Sequence, residues 1–324
     1  MVKAIRIHKT GGPEVMVLED VPAVSPGPGE VLVRNKAIGL NFIDVYFRTG
    51  LYPAPAMPFT PGNEGAGDVL EVGPGVKGFK KGDRVAYVST LGSYAEQRLV
   101  PVASLVHLPK EVSYKEAAGM MLKGLTAEYL LFRTYKVKKG DTVLVHAAAG
   151  GTGQILCQWA NALGATVIGT VGSPEKAKLA KKCGAHHTIL YNTEDFAARV
   201  KEITGGKLCA VVYDGVGKTT FMKSLDCLRP FGVMATFGNA SGPVDPFNPA
   251  ILGGKGSLYV TRPTLFTHIG DKKTYAAMAK NLFGAVASGA VKVPVKATFA
   301  LADAADAHRA LEGRGTTGST VLVP

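Results

Sequence analysis

The sequence predicts an α/β chain: a doubly wound parallel sheet joined to a turn-rich β domain. Three observations carry this. Six short apolar runs follow one another after residue 140 with helical patterns between most of them. The first of those runs leads into a glycine-rich turn and then an amphipathic helix. Before them, the first ~120 residues break β-branched runs with glycine and proline, as a small β domain does.

In that first stretch the strand candidates are KAIRI, EVLVRNKAIG, GDVLEVG, DRVAYV and SYAEQRLV, separated by PGPGE, PGNEG and GPGVKGFKKGD. The segment LNFIDVYFRTGLYP reads as a loop. From Tyr114 the texture changes, and KEAAGMMLKGLTAEYLLF reads as helical. The six runs are TVLVHA (142–147), TVIGTV (166–171), TILY (188–191), AVVYD (210–214), VMATFG (233–238) and SLYVT (257–261). Each is almost wholly apolar, as a parallel strand covered on both faces must be. In TEDFAARVKEITGG, Phe196, Val200 and Ile203 share one helical face. A helix near 274–288, a strand at KATFA, a helix in ADAADAHRALEG and a closing strand STVLVP follow, so the tail is expected to return to the first domain.

Composition narrows the function classes. Hydrophobic residues make up 46% and charged residues 19%, a globular balance too rich in apolar residues for a disordered chain. No apolar run approaches the ~20 residues of a membrane span. MVKAIRIHKTGG lacks the apolar core of a signal peptide, so the expected location is the cytosol. Cys157, Cys183, Cys209 and Cys227 form no CxxC pair and read as buried free thiols. The net charge of +12 favours an anionic ligand. Its basic residues are scattered without an aromatic stripe, which makes nucleic acid the weaker partner.

The glycine turn is the strongest motif. After TVLVHA the spacing Ala148-x-Gly150-x-x-Gly153 matches the dinucleotide fingerprint with alanine in first place. A helix is expected from Thr152, with Ile155, Leu156, Trp159, Ala162 and Leu163 on its packing face. The helix N-terminus then faces a pyrophosphate. An NAD site carries an acidic residue about 20 positions further on, at the end of the second strand. Val171 and Gly172 stand there instead, followed by Ser173 as N-cap, Pro174 and Lys176. A hydroxyl and a lysine at an open helix N-terminus suit a 2′-phosphate, so the cofactor expected is NADPH.

The run GDTVLVHAAAGGTGQILCQWA resembles the signature of the quinone oxidoreductase and zeta-crystallin group of the medium-chain dehydrogenase/reductase superfamily. GLNFIDVYFRTGLYP, PGNEGAGDVLEVGPGV, KGDRV and GSLYVTRPTL agree with it. The resemblance implies a GroES-like β-barrel domain built from both chain ends, residues 1–123 and 267–324, and a Rossmann domain over 124–266. It implies that Gly150, Gly151, Thr152 and Gly153 hold the pyrophosphate. Gly172, Ser173, Lys176, Tyr191 and Arg314 would surround the adenosine 2′-phosphate. Thr126, Phe237, Gly238, Asn239, Val260 and Arg262 would lie along the ribose and nicotinamide. It also implies a homodimer joined through SLYVT, the last strand of the Rossmann sheet.

Departures from the zinc-dependent members of the superfamily are informative. Asn41 and Asn63 stand where those enzymes carry a cysteine and a histidine, and Glu64 alone makes a poor zinc site. No metal is therefore expected, which argues against alcohol oxidation. What remains is hydride transfer to an electron-poor acceptor whose oxygen needs hydrogen-bond donors. Asn41, Tyr46 and Tyr52 are the candidates, with Asp44 fixing the loop or a cofactor hydroxyl. A quinone is the leading acceptor; an enone or alkenal is the alternative, and a crystallin-type RNA-binding or structural role the remote one.

Overall fold

The computed structural model describes residues 1–313 and 317–324, which divide into two compact units. The first comprises 1–123, 269–283 and 293–324, and the second 124–268 and 284–292.

In the first unit, β1 (Val2–Ile7) and β2 (Met16–Val21) pair as an antiparallel ribbon. A second sheet is built on β3 (Glu30–Gly39). Helix α1 (Phe42–Thr49) follows it, then β4 (Glu64–Val72), β5 (Arg84–Val88), β6 (Gln97–Pro101) and β7 (Leu105–His107). Far along the chain the unit gains β14 (Val295–Ala300), helix α10 (Ala304–Glu312) and β15 (Ser319–Val323). The order is β14-β15-β3-β4-β5-β7, with β6 on the other part of β3. The tail does return: β15 lies antiparallel to β3, Val321 opposite Gly39. Its core joins Ile5 and Ile7 to Ile38, Leu40, Ala304, Ala307 and Leu322, so both chain ends close one apolar centre.

The structure corrects the reading of residues 41–50 as a loop. They form α1, with Asn41 as N-cap and Gly50 at φ 82° ending it in the left-handed region. The cues were in the sequence, since Asn41 with Asp44 three residues on is a capping pattern and glycine is the preferred stop. Three aromatic residues in so short a run obscured them.

The second unit begins within α2 (Tyr114–Tyr129). Its strands are β8 (Thr142–Val145), β9 (Thr166–Val171), β10 (His187–Leu190), β11 (Cys209–Asp214), β12 (Leu228–Thr236) and β13 (Tyr259–Thr261). Between them run α3 (Gly151–Ala162), α4 (Pro174–Lys182), α5 (Phe196–Ile203), α6 (Phe221–Ser224) and α7 (Ala250–Gly254). After them come α8 (Leu265–His268) and α9 (Lys272–Ala287), the latter shared between units. All six strands are parallel in the order β10-β9-β8-β11-β12-β13. This is the doubly wound arrangement, with the order reversing between β8 and β11. Leu144, Ile168, Ile189, Val212 and Met234 fill the sheet, and Phe196, Val200, Phe221 and Leu225 cover it.

Two local differences bear on the site. The first strand stops at Val145, not Ala147. His146 turns its ring into the core, Nδ1 2.9 Å from Thr170 Oγ1 and Nε2 2.8 Å from Ser224 Oγ, while Ala147 adopts φ 51°. Burial holds His146 below the usual histidine range. Helix α3 starts at Gly151, and its packing face is Gly153, Ile155, Leu156, Trp159 and Ala160; Ala162 is exposed and Leu163 half-buried at its C-terminal end. The four cysteines are buried, and burial pushes the thiols of Cys157, Cys209 and Cys227 up, the last to about 12.

Candidate functional site

In the second unit residues 150–153, Gly172, Ser173, Tyr191, residues 237–239 and Arg262 follow the carboxyl ends of β8, β9, β10, β12 and β13, whereas Thr126 lies on α2 and Val260 within β13. The turn after β8 folds back tightly, with Gly150 N–H donating to Ala147 O at 2.8 Å. None of Gly150, Gly151 and Gly153 has a positive φ; the left-handed residue is Ala147. The glycines serve close approach instead. A Cβ on Gly153 would stand 2.3 Å from Ala147 O and 2.8 Å from Ala148 Cα, both backbone atoms. Helix α3 therefore presses directly onto the turn, and its first-turn N–H groups, at Gly151, Thr152 and Gly153, precede any intrahelical acceptor.

At the end of β9, Ser173 caps α4, its Oγ accepting from Lys176 N at 3.3 Å, with Pro174 at N1. Tyr191 lies over Gly172, its Oη 2.7 Å from where a Cβ would be, and Asn192 Nδ2 donates to Gly172 O at 2.8 Å. Gly172, Ser173, Lys176 and Tyr191 thus meet around one helix N-terminus. Glu175 shares it. Its own backbone N–H and the Ser173 hydroxyl hold that exposed carboxyl below the usual range. An anionic side chain already uses the positive end of α4, and being exposed it can rotate aside for a phosphate.

At the end of β12, Phe237 N–H donates to Asp214 O at 2.8 Å, and Gly238 passes against the Gly215 backbone. Arg262 Nη1 donates to Thr236 O at 2.9 Å. With its amide oriented to satisfy both ends, Asn239 accepts from Arg262 Nη2 at 3.3 Å. Val260 pairs with Met234 on β13, and Thr126 is buried on α2. Arg314 lies outside the described residues. Sequence reasoning missed Asp214. Fully buried, it accepts from Val216 N, Gly217 N and Thr220 Oγ1 at 2.7, 3.1 and 2.8 Å, and so sets the loop that Phe237 and Gly238 pack on.

In the first unit, α1 brings the other candidates together. Tyr46 and Tyr52 meet edge to face with ring centroids 5.2 Å apart, and Tyr52 N–H donates to Tyr46 O at 3.0 Å. Tyr52 is half-buried; Tyr46 and Asn41 are buried, with 8% and 5% exposure. Asn41 Nδ2 donates to Glu64 Oε1 at 2.6 Å, committing one of its amide hydrogens within the protein. Glu64 is fully buried and takes Leu122 N–H on Oε2 at 2.6 Å, while Lys123 Nζ approaches Oε1 at 3.4 Å and donates to Leu40 O at 3.1 Å. The buried Glu64 carboxylate is thus paired with a buried ammonium inside the protein. Asn63 is buried as well, its Nδ2 donating to Ser89 O at 3.1 Å. Among the described residues no three His, Cys, Asp or Glu side chains are grouped to hold a metal ion. Lys123 carried no signal in the sequence, since its partner is 59 positions away.

The doubly wound sheet with its glycine turn, and the β unit built from both chain ends, define a Rossmann-type member of the dehydrogenase/reductase class. Residues 27–141 match the family model described as alcohol dehydrogenase GroES-like domain, and 151–300 the model described as zinc-binding dehydrogenase. The chain is 54% identical over its whole length to the whole of a quinone oxidoreductase of Pseudomonas aeruginosa. It is 51% identical to a 2-haloacrylate reductase of a Burkholderia species, covering 100% of this chain and 99% of that one. The crystal structure of Escherichia coli quinone oxidoreductase complexed with NADPH superimposes with a TM-score of 0.98 at 49% identity, over 99% of this chain and 100% of that one. The chain belongs to the quinone oxidoreductase family of the medium-chain dehydrogenase/reductase superfamily.

Proposed function

We propose that this protein is an NADPH-dependent quinone reductase that acts without a metal ion. The observation that carries the reading is the Asn41–Glu64–Lys123 cluster. At the position where alcohol oxidation would call for a zinc ligand, an amide donates into a buried carboxylate that is already paired with a lysine. When bound, NADPH supplies the hydride. The chain supplies the rest: the first turn of α3 holds the pyrophosphate through Gly150 to Gly153, and Ser173, Lys176 and Tyr191 receive the 2′-phosphate. Thr126, Phe237, Gly238, Asn239, Val260 and Arg262 border the ribose and nicotinamide. Asn41, Tyr46 and Tyr52 donate hydrogen bonds to the acceptor oxygen as negative charge develops on it. Protons reach the product from water.

The domain limits we assign are 1–123 with 267–324 for the acceptor side and 124–266 for the nucleotide side, although by contact 267–268 and 284–292 group with the second unit. We infer a homodimer through β13, an edge strand whose Tyr259 is 61% exposed. Light scattering at the monomer mass of 33.9 kDa would refute it. The four buried free thiols support a reducing, cytosolic compartment, and no described helix is long and apolar enough to cross a membrane.

NADPH oxidation by chelator-treated protein, across panels of quinones and conjugated carbonyls, tests the reading. Quinones are expected to react with undiminished rates after chelation, and Tyr52→Phe to lose about tenfold in kcat/KM, the worth of one hydrogen bond of about 1.4 kcal/mol. A preference for conjugated acids or enones would move the protein toward the chemistry named for its 2-haloacrylate reductase relative. Zinc-restored activity would overturn the metal-free mechanism.

A further inference from the structure

A second buried network in the first unit belongs to none of these roles. Asp44 on α1, Tyr94 in the segment before β6, and Arg48 on α1 with His308 on α10 are all fully buried or within 1% of it. Arg48 Nη1 lies 2.9 Å from His308 Nδ1, His308 Nε2 lies 3.1 Å from Tyr94 Oη, and Tyr94 Oη lies 3.1 Å from Asp44 Oδ2. The outer end is Glu312, which takes both Arg48 Nη1 and Nη2, at 2.7 and 2.9 Å, and is partly exposed.

Donor and acceptor chemistry gives this chain one direction. A guanidinium only donates, so His308 Nδ1 must accept and Nε2 must carry the hydrogen. Nε2–H then donates to the Tyr94 oxygen, which leaves the Tyr94 hydroxyl hydrogen for Asp44 Oδ2. Asn41 N–H donates to the same oxygen at 2.8 Å. With two donors on Oδ2, a proton on Asp44 has only Oδ1 to occupy, and Oδ1 is buried without a hydrogen-bond partner.

We infer that Asp44 is a proton-responsive positioning residue for acceptor reduction. Ionised, it grips the backbone of Asn41 through a charge-assisted bond at the N-terminus of α1; with a proton on Oδ1 that grip loosens. This rests on the quinone-reductase reading, because Asn41 and Tyr46 ride on the helix that Asp44 caps. The groups around Asp44 set its balance. Burial opposes its charge most strongly and the Glu64 carboxylate on β4 adds to that, while the Asn41 N–H, the Tyr94 hydroxyl and the Lys123 ammonium on α2 favour it. The outcome is a carboxyl raised to about 7. His308, buried beside Arg48, is lowered to about 3 and stays neutral, so the hydrogen-bond direction persists across the working range.

The test follows the Asp44 carboxyl by ¹³C NMR of the full-length protein, alongside the pH profile of kcat/KM for quinone reduction. Both are expected to inflect near pH 7. Tyr94→Phe keeps the ring but removes a bond to the charged form, and should move both inflections upward by about half a unit to one unit. Asp44→Asn should flatten the rate profile. Stability gives a third readout. A folded-state value above the unfolded one makes the protonated form favourable below about pH 4, and that advantage is lost as pH rises through about 7. The melting temperature of Asp44→Asn relative to the unmodified protein should therefore climb from about pH 4 to about pH 7 and level off above it. An Asp44 that titrates below pH 5, or an unchanged rate profile in Asp44→Asn, overturns the inference. Failure to reduce any quinone, with the Asp44 titration and its Tyr94→Phe shift intact, overturns the quinone reading instead.

Discussion

Gly153→Ala is expected to weaken NADPH binding by about 100-fold and to lower the melting temperature by several degrees. The new Cβ would meet Ala147 O at 2.3 Å and Ala148 Cα at 2.8 Å. Neither is the end of a side chain that can rotate away, so α3 itself must lift off the turn. Forcing one extra carbon into such a contact costs about 1–3 kcal/mol. The displacement also carries the first-turn N–H groups of α3 away from the phosphate, and a misplacement of about 1 Å can cost on the order of 100-fold. Gly150→Ala is the control, since its Cβ would come only to 3.1 Å from Ala147 O, and a change of a few-fold is expected. Fluorescence titration with NADPH reads both variants. Binding by Gly153→Ala equal to that of the unmodified protein would remove the turn from the cofactor site.

Lys176→Glu should raise the KM for NADPH by about 10- to 100-fold while leaving that for NADH within about threefold. Lys176 is half-buried in the first turn of α4, two residues from Pro174 and bonded through its backbone to Ser173. Replacing a cation by an anion there removes a charge-assisted interaction worth about 1.5–3 kcal/mol and opposes the extra phosphate of NADPH alone. Glu175 sharpens the test. Because its carboxylate shares that helix end, Glu175→Gln should lower the KM for NADPH about twofold, the opposite sign at the next position. Equal effects of Lys176→Glu on both nucleotides would place the 2′-phosphate elsewhere.

The rewards of reading the sequence were uneven for physical reasons. Apolar runs buried on both faces announce themselves by composition, so all six parallel strands stood out, β9 at both its ends and the others with an end off by up to five residues. The largest error was at β12, which begins at Leu228 and not Val233. There Pro230, and Phe231 with φ 61°, hid a strand behind turn-like residues. Helix α1 was lost because it is only eight residues long, clusters aromatics at Phe42, Tyr46 and Phe47, and buries Asp44 and Arg48 where an apolar stripe is looked for.

What the sequence by itself determined is the local part: the strand–turn–helix unit at Thr142–Ala162, the capped start of α4 at Ser173 and the amides at Asn41 and Asn63. Each follows from residues a few positions apart, whose backbone needs are short-ranged. Only the tertiary structure decided which charges share a burial. Lys123 neutralises Glu64 across 59 positions, and Arg48 meets His308 across 260. The first brings α2 against β4, and the second exists because α10 and β15 close the core begun by β1 and β3. In that low-dielectric centre an ionisable group persists only where a partner arrives, and no window of sequence contains both members of such a pair.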